Sequence, residues 1–298
     1  MDIIYEPGKY TISFIYNHSN YTKYKLIQLL KKFTNITESL FNLLKDSSDH
    51  DIITYVKNNP RQYNKQQNKR FKVKRQPDQK TYDQIRAEKR GQTILDFLKN
   101  TDHKIKKIDT YLDIGCFDGK NTIVVGQMLG LNKNNIYGVD IESYSGMKIK
   151  PVDGFNFQTY DGINLPFPDN KFDLITMLQV LHHVREPHKL LKEIKRICKP
   201  NGLVFLREHN KGDQVHSMIF YLEHLFYSVI IDKIPYNDFV DDYYEHYYSK
   251  KELKKLFTKY GFVKVKLNID LAYRENTNLL DYNPTAYYHT MFAKLTSS

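Results

Sequence analysis

The sequence predicts an α/β protein built around an open sheet, and three observations support this class. An apolar strand breaks into a glycine turn within Tyr111–Gly119, and a helical pattern follows directly. A second apolar strand then ends on Asp140. Further buried-strand patterns occur later in the chain. With 298 residues, 41% of them hydrophobic, the chain can form one full α/β core and an appendage.

Residues 1–60 predict a small α+β extension. Ile3–Tyr5 and Tyr10–Ile15 are predicted as two short strands around a turn-forming tetrapeptide. Residues 21–45 carry apolar side chains at helical spacing, which predicts one helix or two joined helices. Asp51–Val56 adds a turn of helix. We interpret the extension as a packing arm, with binding of a protein partner as the alternative.

The net charge of +11 is concentrated in one short part of the chain. Residues 61–90 carry 11 Lys and Arg against 3 Asp and Glu, and Tyr63 and Phe71 interrupt the basic residues. We assign residues 61–84 as a basic linker. Two interpretations stay open: a solvated linker, or a segment that contacts RNA and binds it with strong salt dependence.

The main domain is predicted over residues 85–298, and it begins with an amphipathic helix. A capping box at Ser249 starts a later helix, which ends at Gly261. Two further helices are predicted over Lys120–Leu129 and Val215–Ile231. The predicted strands after the glycine turn are Asn135–Val139, Phe172–Met177, Leu203–Leu206, Phe262–Leu267 and Tyr287–Leu295.

Composition excludes several classes of protein. Cys116 and Cys198 cannot form a disulfide framework, and neither belongs to a metal-binding cluster, so we expect a reducing compartment and no metal. No stretch reaches about 18 apolar residues, and the first residues lack the pattern of a signal peptide. We therefore expect a cytoplasmic protein without membrane contact.

The order of strand, glycine turn, helix, strand and carboxylate suits a nucleoside-like ligand. Glycines let the backbone approach the ligand, and a carboxylate such as Asp140 accepts hydrogen bonds from two ribose hydroxyls. A dinucleotide site is disfavoured, because Phe117 and Lys120 occupy the second and third positions of the Gly-x-Gly-x-x-Gly pattern.

The run Asp113–Gly119 resembles motif I of the class I S-adenosylmethionine-dependent methyltransferases, with Phe117 in place of the middle glycine. Further matches follow in order: Asp161-Gly162 before Leu165–Asp169, the strand Phe172–Met177, the Leu-His-His element in Leu178–Val184, and the turn Lys199–Gly202. The resemblance covers roughly residues 85–298. It implies a Rossmann-like, seven-stranded, mostly parallel sheet with helices on both faces and a final antiparallel hairpin.

The resemblance implies S-adenosylmethionine as the cofactor. Asp113, Gly115 and Gly119 would contact its methionine part, Asp140 its ribose and Asp161 its adenine amino group. A plain strand-to-helix turn, and a loop cap at Asp161, are the alternatives. The predicted cofactor-binding residues are Asp113, Gly115, Cys116, Gly119, Asp140, Ile141, Asp161, Gly162 and Gln179.

Acceptor binding is predicted where the fourth and fifth strands end. The resemblance places Gln179 where the methyl group meets its acceptor, and Gln179, Glu208 and His209 are the predicted catalytic residues. An ion pair that orders the loop, and a tyrosine lid over a hydrophobic substrate, are the alternatives. The predicted substrate-binding residues are His183, Arg207, Glu208, His209, Tyr244, Glu245 and Tyr248.

Several methyltransferase chemistries lack their residues here. The loop Leu178–Val180 contains neither an Asn/Asp-Pro-Pro-aromatic motif nor the aspartate of a Lys-Asp-Lys-Glu set, and neither cysteine is placed as a nucleophile. We therefore expect in-line transfer that depends on orientation rather than on a strong general base.

Three hypotheses of function stay open. The chain is loosely similar to viral mRNA cap methyltransferases, so the first is RNA methylation with guanine N7 of the cap as leading target, in the host cytoplasm if the chain is viral. The second is a small-molecule methyltransferase. The third is a non-catalytic, cofactor-binding subunit that stimulates a partner enzyme.

Overall fold

The computed structural model describes residues 11–61, 82–100, 107–144, 147–209, 214–269 and 287–295. The chain divides into two compact units. The first, here the helical unit, comprises residues 1–79, 211–243 and 276–284. The second, here the sheet unit, comprises residues 80–210, 244–275 and 285–298.

Helices and strands are numbered along the described residues. The helices are α1 (Thr11–His18), α2 (Asn20–Leu30), α3 (Glu38–Leu43), α4 (Asp49–Asn58), α5 (Tyr82–Lys99), α6 (Lys120–Met128), α7 (Pro187–Ile197), α8 (Gln214–Phe226), α9 (Tyr236–Asp242) and α10 (Lys250–Lys259). The strands are β1 (Tyr111–Ile114), β2 (Ile136–Asp140), β3 (Ser143–Tyr144), β4 (Met147–Lys148), β5 (Asn156–Thr159), β6 (Phe172–Leu178), β7 (Cys198–His209), β8 (Phe262–Ile269) and β9 (Tyr287–Lys294).

The helical unit packs α1 to α4 around α8, which continues into a π-helical turn over Tyr227–Ile231. Leucines and isoleucines of these helices form its buried core, and the rings of Phe33 and Phe226 lie 5.4 Å apart. Ser48 and Asp51 form a capping box at the start of α4. Residues 211–243, which the sequence pattern had placed in the main domain, therefore join the N-terminal helices, because the apolar face of α8 is buried among them.

The prediction of a strand over Tyr10–Ile15 is wrong, since α1 begins at Thr11. Ile12, Ile15 and Tyr16 are all buried, and a spacing of three and four residues puts them on one face of a helix rather than on alternate faces of a strand. The predicted strand Ile3–Tyr5 lies outside the described residues. The helical pattern over residues 21–45 forms the two helices α2 and α3.

The sheet unit confirms the predicted fold class. Its seven strands lie in the order β5-β2-β1-β6-β7-β9-β8. The first five are parallel to one another, and β9 is antiparallel to both β7 and β8. The carboxyl ends of the parallel strands therefore meet at one edge of the sheet, where ligands bind in open α/β folds.

Helices cover both faces of this sheet. On one face, Ile94 of α5 and Val125 of α6 pack with Tyr111 of β1. On the other, Leu191 of α7 and Phe257 of α10 belong to the core that includes neighbouring strand residues. Alternation along β1 sends successive side chains to opposite faces, which is why a parallel strand covered on both sides is apolar throughout.

Two elements of the sheet unit, β5 and α7, were not predicted from the sequence. The edge strand β5 is only partly buried, so it has no continuous apolar run. The helix α7 begins at Pro187, which suits the first turn of a helix. Among the described residues, no helix is both long enough and apolar enough to cross a membrane.

Candidate active site

The turn between β1 and α6, here the cradle, requires glycine at two positions. Gly115 and Gly119 have φ angles of 73° and 82°, in the left-handed region. A Cβ atom at Gly115 would lie 2.3 Å from Val180 Cγ2, and one at Gly119 would lie 2.1 Å from Phe155 Cζ. Between them, Cys116 is buried, and burial raises the pKa of its thiol. This thiol is therefore not a nucleophile.

Phe117, which replaces the middle glycine of the motif, adopts a left-handed backbone conformation that is usual for glycine. Its φ angle is 51°, and its side chain is 48% exposed. A non-glycine residue in this region costs about 1 kcal/mol or more. The backbone N–H of Phe117 donates to Asp140 Oδ2 at 2.6 Å, so the strained turn is tied to the end of β2.

Asp140 is held in a fixed orientation at the carboxyl end of β2. Besides the bond from Phe117, its Oδ1 accepts a hydrogen bond from the backbone N–H of Ile141 at 2.8 Å. Burial raises the pKa of Asp140, and the two backbone hydrogen bonds oppose this effect. The two backbone N–H groups thus orient the carboxylate next to the glycine turn.

Asp113 lies at the buried base of the same turn. Its oxygens accept hydrogen bonds from Thr122 Oγ1 at 2.7 Å and from Thr176 Oγ1 at 2.6 Å. Burial raises the pKa of Asp113 to about 6, against the lowering effect of the two threonine hydroxyls and of the positive charge of Arg90. The side chain therefore links β1, α6 and β6.

Asp161 caps its own loop. Its Oδ1 accepts from the backbone N–H groups of Ile163 and Asn164, at 2.9 and 2.6 Å, and its Oδ2 accepts from Asn164 Nδ2 at 2.6 Å. These hydrogen bonds, that of the Asn164 backbone first, lower the pKa of Asp161. Gly162 has a φ angle of 86°. The contact of Asp161 with an adenine group stays a prediction.

The loop that follows Asp161 is braced by α7. Arg196 Nη1 donates to the carbonyl of Phe167 at 2.6 Å, and its Nη2 donates to the carbonyl of Leu165 at 2.9 Å. Glu193 accepts from the backbone N–H of Leu165 at 3.1 Å and from Arg196 Nη2 at 2.6 Å. The segment predicted to shape the adenine pocket is thereby fixed at three backbone groups.

Gln179, at the end of β6, forms hydrogen bonds with several polar side chains. Its φ angle is 66°, and its backbone N–H donates to the carbonyl of Arg207 at 2.7 Å. Its Oε1 accepts hydrogen bonds from Arg207 Nη1 and, at 3.3 Å, from Arg90 Nη2. Its Nε2 lies 3.4 Å from His209 Nε2. The amide thus brings α5, β6 and β7 together at one point.

Comparisons with known proteins identify the family of the chain. A model of the methyltransferase domain family matches residues 58–267. The chain belongs to this family. The methyltransferase is 33% identical over 116 residues to an uncharacterised methyltransferase of Schizosaccharomyces pombe, a match that covers 35% of this chain and only 41% of that relative. It is 30% identical over 175 residues to a demethylmenaquinone methyltransferase of Staphylococcus saprophyticus, covering 55% of this chain and 74% of the relative.

Among solved structures, an S-adenosylmethionine-dependent methyltransferase of Methanosarcina mazei matches with a TM-score of 0.44 and 20% identity. The match covers 66% of this chain and 96% of that one.

The cofactor of the methyltransferase is S-adenosylmethionine, and the residues of its site fit this group. The positive φ angles of Gly115 and Gly119 give the tight turn that such a ligand site requires, and a side chain at either position would collide with Val180 or Phe155. Asp140 presents an oriented carboxylate where a ribose would lie in such a fold.

Glu208 of the methyltransferase is turned into the protein. The side chain is 2% exposed. Its Oε1 accepts from the backbone N–H of Leu181 at 2.9 Å and of Val180 at 3.3 Å, and its Oε2 lies 2.6 Å from His182 Nδ1. Burial raises the pKa of Glu208 to about 8. In this position Glu208 orients the loop after β6, and its predicted direct role toward an acceptor stays a prediction.

The tyrosine-rich segment packs against the same loop. The ring of Tyr247 stacks on His182, with ring centroids 5.4 Å apart, and its hydroxyl donates to Glu245 Oε2 at 2.5 Å. Tyr248 is buried as well. His183 Nδ1 lies 3.1 Å from the carbonyl of Tyr244. The structure therefore brings the predicted substrate residues His183, Tyr244, Glu245 and Tyr248 to one side of the site.

Three functional residues were not predicted from the sequence. Thr122 and Thr176 hold Asp113, and Arg90 reaches Gln179 from α5. A threonine shortly after a motif carries little signal, since it is common in helices and strands. Arg90 lies within the basic run of residues 61–90, where one arginine cannot be told from its many basic neighbours by pattern.

Proposed function

We propose that the chain transfers the methyl group of S-adenosylmethionine to a nucleophile that needs no deprotonation. The main supporting observation is that the carboxylate of Glu208 points into the protein, where it bonds His182. The polar side chains that contact Gln179 are then Arg90, Arg207 and His209. The bound cofactor supplies an electrophilic methyl group. The residues at the ends of β6 and β7 then hold the acceptor in line with it, and orientation contributes up to about 7–11 kcal/mol to such reactions.

The leading target is RNA, with guanine N7 of a 5′ cap as the acceptor atom. This ring nitrogen already carries a lone pair, so it suits a site in which transfer depends on orientation. The charge excess of residues 61–90 supports a polyanionic substrate, although residues 62–81 lie outside the described part of the chain.

A small-molecule acceptor is the second candidate. The similarity to a demethylmenaquinone methyltransferase supports it, as does the burial of Tyr247 and Tyr248, because buried rings pack the loop rather than stack on an exposed base. A non-catalytic, cofactor-binding role is the third candidate, and the strained Phe117 is its only support.

The test is methyl transfer by the purified full chain to capped RNA, to uncapped RNA and to a set of small metabolites that includes demethylmenaquinone. We expect transfer to capped RNA at a rate that does not rise steeply between about pH 7 and 9, where an unperturbed histidine is already neutral. Transfer to a metabolite alone would establish the second candidate. Binding of the cofactor without transfer to any of these acceptors would contradict the first two candidates for the acceptors used and favour the third.

A further inference from the structure

Two helices on one side of the sheet unit carry a surplus of positive charge. Residues 187–199 and 250–266, which include α7 and α10, carry 12 Lys and Arg against 2 Asp and Glu, a net charge of +10. The other residues of 91–298 carry 15 against 23, a net charge of −8. Positive charge in this part of the chain is therefore concentrated on α7, on α10 and at the start of β8.

The hydrophobic core determines which side of each helix faces solvent. Apolar side chains of α7 and α10 are buried in the same core of the sheet unit. The exposed residues of α7 are His188, Lys189, Lys192 and Lys195. Those of α10 are Lys251, Glu252, Lys254, Lys255, Thr258 and Lys259. The seven exposed lysines of the two helices are here called the basic face.

The two helices are neighbours, so their lysines form one surface. Nδ1 of His188, near the start of α7, lies 2.9 Å from the hydroxyl of Tyr260, the residue after α10. Further along α7, Nζ of Lys195 lies 3.5 Å from the position that a Cβ atom would take at Gly261. The end of α10 thus lies against the exposed side of α7.

Few carboxylates oppose these charges in the part of the chain that the structure describes. Lys189 pairs with Glu186 at 2.7 Å, and both side chains are exposed to water. The other six lysines of the basic face form no ion pair with the described residues. Lys251, Lys255 and Lys259 follow one another at intervals of about 6 Å along α10, a spacing at which like charges destabilise a helix. An anionic partner would relieve this repulsion.

The chemistry of the face favours a nucleic-acid backbone over other anions. No large apolar side chain is exposed on α7 or α10, both of which are fully described, whereas a helix that binds a membrane surface presents such side chains to the lipid. Interfaces between proteins are depleted of lysine. Lysine does bind phosphate, as a point charge. A surface of lysines without arginine forks contacts phosphates and reads no bases.

Both helices begin beside the predicted acceptor residues. The helix α7 starts four residues after His183, and α10 starts two residues after Tyr248. Nδ1 of His183 lies 3.1 Å from the carbonyl of Tyr244, so the segments that precede the two helices are in contact. A strand of nucleic acid on the basic face would therefore lie close to these residues.

We propose that the basic face binds the phosphate backbone of RNA beside the predicted acceptor residues, independently of the RNA sequence. The inference rests on the proposed function, because RNA is the polyanion that its leading candidate methylates. It adds a binding surface that consists of folded helices and is separate in sequence from the basic linker of residues 61–84.

The test measures binding of a short labelled single-stranded RNA, capped and uncapped, to the full chain by fluorescence anisotropy over a range of sodium chloride. The variant combines Lys192→Gln, Lys195→Gln and Lys255→Gln. We expect its affinity to fall about tenfold or more at about 0.1 M salt, and its logarithmic salt slope to fall by up to about 2, for three phosphates no longer neutralised. Its melting temperature and its affinity for S-adenosylhomocysteine should match the wild type, because the three side chains are exposed.

The matched control combines Lys99→Gln, Lys133→Gln and Lys150→Gln, which are exposed lysines of the sheet unit outside the basic face. It removes the same charge and should bind RNA close to normally. An equal loss in both triple variants would mean that only net charge matters, and this result overturns the proposal. Unchanged RNA affinity in the first variant overturns it as well.

Two further measurements separate the other interpretations. Sedimentation with vesicles of phosphatidylcholine and phosphatidylserine tests a membrane: capture that depends on the same three lysines, without RNA binding, assigns the face to lipid and overturns the proposal. Methyl transfer is measured in parallel. If RNA binding depends on the basic face but capped RNA is not methylated, the RNA target fails and the binding surface stands. If the first variant binds and methylates capped RNA normally, the target stands and the binding surface fails.

Discussion

Asp140 shows how one side chain is prepared for its ligand. Two backbone N–H groups orient the carboxylate, and one of them belongs to the strained Phe117. Hydrogen bonds to a charged group contribute about 1.5–3 kcal/mol each, so the carboxylate also stabilises the turn that forms the cradle. A substitution here is expected to affect the ligand contact and the turn together.

Asp140→Ala should weaken binding of S-adenosylmethionine by about 1.5–3 kcal/mol, because it removes a carboxylate that accepts hydrogen bonds from the ribose. Calorimetry with the cofactor and with S-adenosylhomocysteine measures the loss. Asp118→Ala, on the same turn but with its carboxylate bonded to Lys120, is the control and should bind close to normally. Unchanged affinity in Asp140→Ala contradicts the assigned pocket.

Asp113 should make stability depend on pH in a direction opposite to that of most carboxylates. Its pKa is raised from 3.8 to about 6 by burial, so the folded state binds the proton more tightly than the unfolded state does. The contribution to stability is full below about pH 4 and is lost as pH rises to about 6, amounting to about 3 kcal/mol.

Asp113→Asn is the test of this dependence. Urea unfolding of wild type and variant should show the free energy of unfolding of the wild type falling relative to the variant between about pH 4 and 6, and parallel curves above about pH 7. Asp161→Asn should show the opposite sign in a lower range, with the wild type losing stability relative to the variant as pH falls below about 4, because hydrogen bonds lower the pKa of Asp161. Parallel curves for Asp113→Asn over the whole range would contradict the burial argument.

At the scale of elements, side chains of α7 fix the conformation of the loop Leu165–Phe167. Arg196 and Glu193 lie one helical turn apart, so both reach the same loop. Together they satisfy two carbonyls and one N–H of the segment Leu165–Phe167. Backbone groups of an irregular loop need such partners when they are removed from water.

Arg196→Met should loosen this loop and weaken cofactor binding, since two carbonyls lose charge-assisted hydrogen bonds of about 1.5–3 kcal/mol each. Hydrogen exchange at residues 163–167 should accelerate, and calorimetry should show reduced affinity for S-adenosylmethionine. Lys192→Met, an exposed change on the same helix, controls for the altered surface. Normal exchange in Arg196→Met would show that Glu193 alone is sufficient.

At the scale of the whole molecule, charge is the property that distinguishes one part of the chain from the rest. Residues 61–90 carry the excess of basic residues, and phosphate neutralisation releases counterions, which makes binding strongly dependent on salt. If RNA is the substrate, these residues contribute affinity without sequence specificity.

Neutral replacement of Lys69, Arg70, Lys72, Lys74 and Arg75 should therefore flatten the dependence of RNA affinity on salt concentration. The logarithmic slope should fall by up to about 0.7 for each phosphate that the variant no longer neutralises. Filter binding or fluorescence anisotropy over a range of salt measures the slope. Replacement of five surface lysines of the sheet unit outside the basic face is the control. An equal slope in wild type and variant favours the solvated linker.

The sequence by itself determined the class of fold, the cofactor and most of the order of the elements in the sheet unit. The glycine motif, the helix after it and the carboxylate at the end of the next strand are encoded by residues close in the chain. The periodicity of strands and helices and the glycine requirement of a turn are local properties. The class of fold, the cofactor and the capping box at Ser249 could all be predicted for this reason. Where local patterns were ambiguous, as in Tyr10–Ile15, the prediction failed, since β-branched residues such as Ile12 and Ile15 favour a strand locally, while packing with neighbouring helices stabilises the helix.

Only the tertiary structure decided which side chains surround Gln179. Arg90, Gln179 and Arg207 are far apart in sequence, and they meet because α5, β6 and β7 reach the same edge of the sheet. Glu208 follows Arg207 directly, yet it points into the protein, because successive residues of a strand face opposite sides. Side-chain convergence depends on packing among distant elements, so no spacing in the sequence encodes it.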